Sequence, residues 1–375
     1  MCWTGERTGG KLLDGKRART RLSLGRRGQG RVWPNPSVGC VVVKNGRVAG
    51  RGWTADGGRP HAEVCALEQA GEASRGATAY VSLEPCAHHG KTPPCANALL
   101  AAGDDRVLTA IDDPHPRVSG AGHPTIREAG IALETGVCKG EAARDHAGFL
   151  LRVRNGRPLV TLKLALSIDG RIATASGESQ WITGPAARRI GHVLRASHDA
   201  VLVGGGTARA DNPRLTVRGL GQVRQPVRVV ASSALNLPAP LRLVETLDQS
   251  PVWVMCGEGA DARRADELTT NGARLLRVRL NDENRLDPKA LLERLGAEGL
   301  TRVYCEGGGE LAASLLRAGL VDRIAVFSAG IGLGGDALPG LGDMGLSQLS
   351  EATRFRLRDV RRVGSDTMTV WERPL

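Results

Sequence analysis

At roughly 150 residues per domain, a chain of 375 residues is long enough for two or three domains. Its 41% hydrophobic and 24% charged residues are typical of a globular protein and exclude wholesale disorder. No apolar run approaches the roughly 20 residues that cross a bilayer. No signal-peptide core follows the basic N-terminus, so we expect a soluble cytoplasmic protein without a membrane partner.

The formal net charge of +12 is unevenly distributed along the chain, and the N-terminal residues carry much of it. Residues 1–30 are rich in arginine and lack a clear apolar pattern, so we interpret them as a basic, disordered arm. Such an arm can bind nucleic acid, but a solvated segment is the commoner case, and anionic small molecules fit the charge equally well. Aromatic residues make up only 3% of the chain, which disfavours a stacking platform for single-stranded nucleic acid.

After this arm, short apolar runs alternate with helical patterns, which indicates a three-layer α/β domain with a mixed sheet. Residues 38–44 and 47–53 predict a hairpin, because Asn45-Gly46 between them favours a tight turn. The next predicted elements are a helix over 61–70, a strand over 78–83, a helix over 95–102, a strand over 106–111, and a helix and a strand within 125–137.

A predicted helix over 141–153 ends at Asn155-Gly156, and Pro158 precedes a new strand over 159–167. We therefore divide the chain into the arm (1–30), a first domain (31–156) and a second domain (157–375). In the second domain we predict helices over 186–196, 288–295 and 311–318, and strands over 200–203, 227–231, 252–256, 302–305 and 323–327. Two late strands flank Gly364-Ser365, and the loop-rich segments 206–225 and 329–346 are candidates to line a site.

Two of the eight cysteines stand out as metal ligands. In a long chain without a secretory signal, irregularly spaced cysteines indicate reduced thiols rather than disulfides. His61, Cys86 and Cys95 would supply three ligands to one zinc ion and leave the fourth tetrahedral position open for water, the pattern of a catalytic site. Zinc lowers the pKa of such a water to about 7, so hydroxide becomes available at neutral pH.

Glu63 follows His61 by two residues and is the candidate catalytic proton carrier. Zinc deaminases combine His-x-Glu and Pro-Cys motifs, and their glutamate moves protons without binding the metal. We expect Pro85-Cys86 to begin a second helix, whose dipole favours a thiolate. The second cysteine of the usual signature follows after two residues, whereas residues 87–94 intervene here.

Structural roles are the alternative for each of these residues taken alone, since a histidine can cap a helix and a cysteine is commonly a small core residue. Taken together, they favour a deaminase. The second hypothesis is a nucleic-acid base deaminase, such as a tRNA adenosine deaminase, that holds phosphates with the basic arm. It leaves residues 158–375 unexplained. A non-enzymatic protein with relic sites is disfavoured because the ligands and the glutamate are all present.

Short motifs in both halves carry a family resemblance. In the first half they are PNPSVGC at 34–40, HAEV at 61–64 and LEPCAHHGKTPPC at 83–95. In the second half they are LKLA at 162–165, SIDGR at 167–171, GESQWITG at 177–184 and EGG at 306–308. These motifs resemble those of the bifunctional riboflavin-biosynthesis deaminase/reductase family, and the resemblance extends from about residue 28 to near the C-terminus.

The resemblance implies a cytidine-deaminase-like domain followed by a dihydrofolate-reductase-like α/β domain. The first would deaminate 2,5-diamino-6-(5-phosphoribosylamino)pyrimidin-4-one with one Zn²⁺ on the His-Cys-Cys set and Glu63 as proton shuttle. The second would use NADPH to reduce the ribosyl group of the product to ribityl. It further implies a small-molecule substrate, no nucleic-acid partner and a homo-oligomer. The residues implied to contact the pyrimidine and its phosphorylated sugar are Asn35, His88 and Lys91.

No strand-linked G-x-G-x-x-G lies at the start of either domain, so a Rossmann domain is not the natural interpretation. The glycines of the second domain instead follow strand 302–305 and lead into a helix, where backbone amides can hold a pyrophosphate. The resemblance identifies this turn as the dinucleotide phosphate loop. The residues implied to contact NADPH are Ala165, Trp181, Thr207, Asp211, Gly308 and Gly309.

The residues implied to contact the reductase substrate are Ser179, Arg195, Leu215, Arg218 and Glu306. Of these, Arg195 and Arg218 are expected to donate forked hydrogen bonds to the phosphate. Lys163 and Asp169 are candidates for the proton transfers of the reduction.

Two positions depart from the family pattern: His115 stands where Asn is expected after Asp-Asp-Pro, and Asn212 stands where Asp is usual. The first could perturb contacts to the deaminase substrate, whereas the second leaves the preceding Asp in place.

Overall fold

The computed structural model describes residues 9–88, 93–116 and 120–374. They form two compact units, and the division falls between Asn155 and Gly156, one residue before the predicted boundary. None of the helices in this described part combines the length and apolar character that crossing a membrane requires.

The first unit is built on a five-stranded mixed sheet. Its strands are β1 (Gly39–Lys44), β2 (Arg47–Trp53), β3 (Thr78–Val81), β4 (Arg106–Thr109) and β5 (Ala132–Glu134), in the order β2-β1-β3-β4-β5. Its helices are α1 (Gly9–Arg26), α2 (Ala62–Ala70), α3 (Cys95–Ala102), α4 (Gly122–Glu128), α5 (Lys139–Asp145) and α6 (Ala147–Asn155). β1 is antiparallel to β2 and β3, whereas β3, β4 and β5 are mutually parallel.

Apolar residues cover both faces of this sheet. Successive residues of β1 belong to different clusters, because side chains alternate across a strand: Val42 packs in one cluster and Val41 in the other. The sheet is therefore the middle layer of the predicted three-layer arrangement.

The N-terminal segment corrects one prediction. We expected a disordered basic arm over residues 1–30, but Gly9–Arg26 form α1, which buries Ala18 and Leu22. Arg21 is fully buried and donates hydrogen bonds to the carbonyl oxygens of Leu108 (3.0 Å) and Val137 (2.7 Å). A buried guanidinium is tolerated where carbonyl oxygens satisfy it, so the arm interpretation is wrong for this helix. Residues 1–8 lie outside the described part.

The second unit contains a nine-stranded sheet and a separate two-stranded sheet. The strands of the unit are β6 (Leu159–Ser167), β7 (Arg171–Ala173), β8 (Ala200–Gly204), β9 (Val227–Ala231), β10 (Val252–Cys256), β11 (Arg274–Arg277), β12 (Arg302–Cys305), β13 (Arg323–Ala329), β14 (Leu338–Pro339), β15 (Arg356–Val363) and β16 (Asp366–Glu372). The order is β11-β10-β9-β8-β12-β6-β13-β16-β15, with β14 and β7 paired separately. The helices are α7 (Pro185–Ala196), α8 (Gly205–Asp211), α9 (Ala262–Thr270), α10 (Pro288–Ala297) and α11 (Gly309–Arg317).

The first seven strands in this order, β11 through β13, are all parallel to one another. The last two strands, β16 and β15, extend the sheet with antiparallel pairing. Because the carboxyl ends of parallel strands lie at one edge, the segments after β9, β8 and β12 are brought together there. The predicted loop 206–225 begins inside α8, which the sequence pattern did not reveal.

Candidate functional site

The first unit brings the three predicted metal ligands together. His61 is the residue before α2, Cys95 is the first residue of α3, and Cys86 lies in the loop between β3 and α3. The Nδ1 atom of His61 lies 3.2 Å from the Sγ atom of Cys95 and 3.7 Å from that of Cys86. All three ligand atoms lie within 4.8 Å of one another.

These distances fit a zinc ion. With Zn–S bonds of about 2.3 Å and Zn–N bonds of about 2.0 Å, tetrahedral geometry separates neighbouring nitrogen and sulfur ligands by about 3.5 Å. The two observed nitrogen-to-sulfur distances lie on either side of that value. The donor set is also the N/S set that zinc prefers, and three protein ligands leave one position for water.

The local structure stabilises one ligand as a thiolate. The backbone N–H of Cys95 donates to the Sγ atom of Cys86 over 3.4 Å. Hydrogen bonding from the Cys95 side chain, opposed by burial and assisted by His61, lowers the pKa of Cys86 to about 4. The prediction that Cys86 begins a helix is wrong: it lies in a loop, and Cys95 begins α3.

Glu63 lies in the first turn of α2 and is only 3% exposed. Burial raises the pKa of its carboxyl group to about 7, although the nearby His61 opposes the shift. A carboxyl group with a pKa near neutrality can both accept and donate a proton at physiological pH. The position and the environment of Glu63 thus suit a proton shuttle.

The three residues expected to bind the pyrimidine substrate have different outcomes. Asn35 donates from Nδ2 to the carbonyl oxygen of Gly58 (2.8 Å). The Nδ1 atom of His88 is buried without a hydrogen-bond partner in the described part of the chain. Such an orphan group is what a ligand-binding residue leaves before its ligand is present. Lys91 lies outside the described residues.

A residue that the sequence did not single out is Glu84, two residues before Cys86. Its buried carboxylate accepts backbone N–H groups from Asp113 (3.1 Å), Gly122 (3.0 Å) and His123 (3.2 Å). It therefore ties the segment between β4 and α4 to the loop that carries the metal ligand. Its hydrogen bonds are to backbone groups, and the only basic side chain beside it among the described residues is His123, whose Nδ1 atom lies 4.0 Å from Oε1, so no side-chain pattern in the sequence marks it.

The two departures from the family pattern have clear local settings. The N–H of His115 donates to the Oδ1 atom of Asp113 (2.8 Å), within the segment that Glu84 holds. Asn212 ends α8 with φ of 39°, a left-handed conformation that asparagine tolerates well. Its Nδ2 atom donates a hydrogen bond to the carbonyl oxygen of Pro240, and its Oδ1 atom accepts one from the N–H of Arg242. Asparagine is therefore structurally favourable at this position.

The second unit contains a cavity of about 500 Å³ at the strand ends. Most of the predicted reductase residues line it. These are Lys163, Ala165, Ser179, Trp181, Thr207, Asp211, Glu306, Gly308 and Gly309. The side chain of Arg188, which also lines the cavity and was not predicted, stacks over the Trp181 ring at 4.6 Å.

The glycine-rich turn fits a dinucleotide. It follows β12 directly, and α11 begins at Gly309. The N–H of Gly308 donates to the Oγ1 atom of Thr207 (2.8 Å), which connects the turn to the segment after β8. A glycine turn at a helix N-terminus presents N–H groups to a pyrophosphate, and the cavity beside it has room for the rest of a cofactor.

Arg195 and Glu306 form a buried ion pair in which both guanidinium Nε and Nη2 donate to the carboxylate. The remaining Nη1 donates to the carbonyl oxygen of Thr216 (2.9 Å). Burial alone would raise the pKa of Glu306, but Arg195 outweighs it and the pKa lies below its ordinary value. The expected fork from Arg195 to a substrate phosphate is therefore already used, and Arg195 positions Glu306 instead.

Lys163, one of the two residues predicted to transfer protons, lines the cavity. Burial lowers its pKa, although Glu306 and Asp211 oppose the shift. By contrast, Asp169 does not line the cavity. It accepts hydrogen bonds from the Ser167 hydroxyl and from the N–H groups of residues 333 and 334, which lower its pKa to about 2. The structure gives Asp169 a loop-holding role rather than the predicted catalytic one.

Two further predicted substrate contacts lie outside the cavity lining: Leu215, which is buried in an apolar cluster, and Arg218. The N–H of Arg218 donates to Nδ1 of His192 (3.3 Å), one turn before Arg195 on α7. Arg218 thus lies near the Arg195 and Glu306 pair, with its guanidinium exposed.

Comparisons with known proteins agree with this division. The RibD C-terminal domain model matches residues 158–369, and the model of the cytidine and deoxycytidylate deaminase zinc-binding region matches residues 19–111. The chain is 42% identical over 359 residues to the riboflavin biosynthesis protein RibD of Escherichia coli, covering 92% of this chain and 95% of that protein. It is 39% identical to RibD of Bacillus amyloliquefaciens, with 92% and 93% covered.

Two solved structures are also similar to this chain over nearly its whole length. The Acinetobacter baumannii RibD structure (form 1) has a TM-score of 0.86 and 38% identity, with 97% of this chain and 99% of that chain covered. The deaminase/reductase of Thermotoga maritima has a TM-score of 0.84 and 33% identity, with 97% and 100% covered. The chain belongs to the RibD family, whose members join a zinc-dependent deaminase domain to an NADPH-dependent reductase domain in riboflavin biosynthesis.

Proposed function

We propose that the chain hydrolyses 2,5-diamino-6-(5-phosphoribosylamino)pyrimidin-4-one and then reduces the ribosyl group of the product to give 5-amino-6-(5-phosphoribitylamino)uracil. The observation that carries the proposal is the convergence of His61, Cys86 and Cys95 beside the buried Glu63. The reductase cavity on the same chain supplies the second step.

In the deamination, His61, Cys86 and Cys95 would hold a zinc ion, which would supply an activated water at neutral pH. Glu63 accepts the proton of that water and delivers it to the ring nitrogen, and a second transfer releases ammonia. Its pKa of about 7 suits both directions of transfer. We assign substrate recognition to the amide of Asn35 and to the Nδ1 atom of His88, which has no hydrogen-bond partner among residues 9–88, 93–116 and 120–374.

In the reduction, NADPH supplies the hydride. Lys163 holds the proton that the opened sugar takes up, since burial makes its ammonium group easier to deprotonate. Arg195 orients the Glu306 carboxylate toward the sugar hydroxyls in the cavity. The exposed Arg218 binds the substrate phosphate.

A deaminase acting on nucleic-acid bases is less well supported. That hypothesis used a free basic arm, yet Arg21 is buried in the fold and Arg26 pairs with Asp145 at 2.9 Å. The similarity to bifunctional relatives also covers the second unit, which that hypothesis leaves without a role. The homo-oligomeric state and the cytoplasmic location stay predictions.

The test is Glu63→Gln. We expect the variant to keep its zinc and to lose ammonia release, because glutamine cannot carry the proton, while NADPH oxidation on pre-deaminated substrate continues. Glu68→Gln, an exposed residue of the same helix, is the control and should retain both activities. Simultaneous loss of both reactions in a folded Glu63→Gln variant would contradict two separate sites.

A further inference from the structure

The strand order determines in which direction a bound dinucleotide extends along the sheet edge. The relevant order is β9-β8-β12-β6, with all four strands parallel. The glycine-rich turn follows β12, and Lys163 lies on β6 to one side of it. If the nicotinamide reaches Lys163, as the proposed function requires, the adenosine half extends the other way, over the ends of β8 and β9.

Two polar side chains converge at those strand ends. Ser232 follows β9 directly, and Arg209 lies on α8, which follows β8. A methyl group on Gly205 would lie 3.2 Å from the Oγ atom of Ser232 and 3.3 Å from the Nη1 atom of Arg209. The absence of a side chain at Gly205 therefore leaves a small open space between a hydroxyl and a guanidinium group.

Neither Arg209 nor Ser232, which is 7% exposed, is paired with another side chain in the described part of the chain. Within the described ranges, no carboxylate lies at ion-pair distance from the exposed Arg209, whose one hydrogen bond runs from Nη1 to the carbonyl oxygen of Asn236 (2.9 Å). The Ser232 hydroxyl has no hydrogen-bond partner in the same part of the chain. By contrast, the nearby Arg285 pairs with Glu310 at 2.7 Å, so its charge is already compensated.

We propose that Arg209 and Ser232 bind the 2′-phosphate of NADPH, and that Arg209 makes the reductase prefer NADPH to NADH. A phosphate at this position accepts charge-assisted hydrogen bonds from a guanidinium group and a further bond from a hydroxyl. NADH carries a neutral 2′-hydroxyl there and gains no comparable interaction. The inference rests on the proposed reductase function and adds the group that selects its cofactor.

The test measures binding rather than turnover. Isothermal titration of the full chain gives dissociation constants for NADPH, NADH, adenosine 2′,5′-bisphosphate and ADP. We expect Arg209→Leu to weaken NADPH and the bisphosphate by about tenfold or more, and NADH and ADP by less than about twofold. Arg263→Leu removes another exposed positive charge, from α9, and should leave all four constants unchanged.

Arg209→Lys separates recognition from a structural role, since it retains the charge but loses the fork. It should recover part of the NADPH affinity without changing that for NADH. Equal weakening of NADPH and NADH in Arg209→Leu would overturn the inference, because Arg209 would then only hold the loop at Asn236. Unchanged NADPH affinity would overturn it too. A chain that binds NADPH through Arg209 but never oxidises it would refute the proposed reduction and support this inference.

Discussion

Replacing Glu84 by glutamine tests whether its carboxylate holds the segment after β4 in the shape that the deaminase site needs. Oε1 accepts two N–H groups, from Gly122 and His123, and Oε2 accepts one from Asp113. Glutamine keeps one oxygen but turns an NH₂ group toward the third N–H. One charge-assisted hydrogen bond is lost and a buried donor is left unpaired, at a cost of about 2 kcal/mol. That free energy lowers the equilibrium constant for ordering the segment by about thirtyfold.

We therefore expect kcat/KM for ammonia release to fall by as much as about thirtyfold in Glu84→Gln. Zinc content and NADPH oxidation on pre-deaminated substrate should not change. Ammonia is measured with a coupled assay, and zinc by atomic absorption. The control is Glu128→Gln, an exposed carboxylate on α4. A Glu84→Gln variant with unaltered kcat/KM and an unaltered urea midpoint would refute the reasoning.

Two further substitutions test the first unit. Burial, with a smaller contribution from Asp105, raises the pKa of Asp104 to about 7, and its oxygens have no hydrogen-bond partner among the described residues. The folded chain thus keeps a proton that the unfolded chain loses near pH 4, so stability falls as pH rises from about 4 to about 7. Asp104→Asn should raise the urea midpoint more at pH 8 than at pH 5, and a pH-independent gain would contradict this. Cys95→Ser should lose zinc and ammonia release but keep NADPH oxidation. The control is Cys65→Ser, at a half-buried cysteine that is not a predicted ligand, and it should keep its zinc. A full zinc content in Cys95→Ser would exclude Cys95 as a ligand.

Local signals predicted the elements whose cause is local. The hairpin turn at Asn45-Gly46 has φ values of 49° and 77°, and few residues other than asparagine and glycine adopt that pair of conformations readily. Strand β6 (Leu159–Ser167) has the predicted limits, since a mostly apolar run after a proline is typical of a central parallel strand. Such elements need no knowledge of the tertiary structure.

Elements that depend on distant partners were missed. Helix α1 looks like a solvated arm because the arginine on its packed face, Arg21, needs carbonyl oxygens from residues 108 and 137, which only the fold supplies. The helix predicted over 141–153 is two helices separated at His146, which is buried with its Nε2 atom 3.1 Å from the hydroxyl of Ser82. In both cases a buried polar side chain is hydrogen-bonded to residues distant in the sequence, so the local sequence pattern alone does not predict the structure.

The same distinction applies to the sites. The chemistry of a His-Cys-Cys set is visible in residue types, and the ligands were predicted despite the long insertion between Cys86 and Cys95. What Arg195 does was not visible, because a guanidinium group pairs with a phosphate or a carboxylate equally well. Only the position of Glu306 decides between them.

Strand topology explains where the remaining functional residues lie. Cys86 follows β3 in the sheet of the first unit, and Thr207, Ser232 and Glu306 follow β8, β9 and β12 in the sheet of the second unit; each of these strands is parallel to a neighbour in its own sheet. The carboxyl ends of such strands form one edge, so a residue there reaches a ligand without disturbing the sheet. The sequence predicts the strand over 227–231 correctly, but it does not show which strand lies beside it, so nothing in the pattern marks Ser232. Because β9 lies beside β8, Ser232 is at the same sheet edge as the glycine-rich turn. The proposed binding of the cofactor 2′-phosphate therefore depends on the strand order.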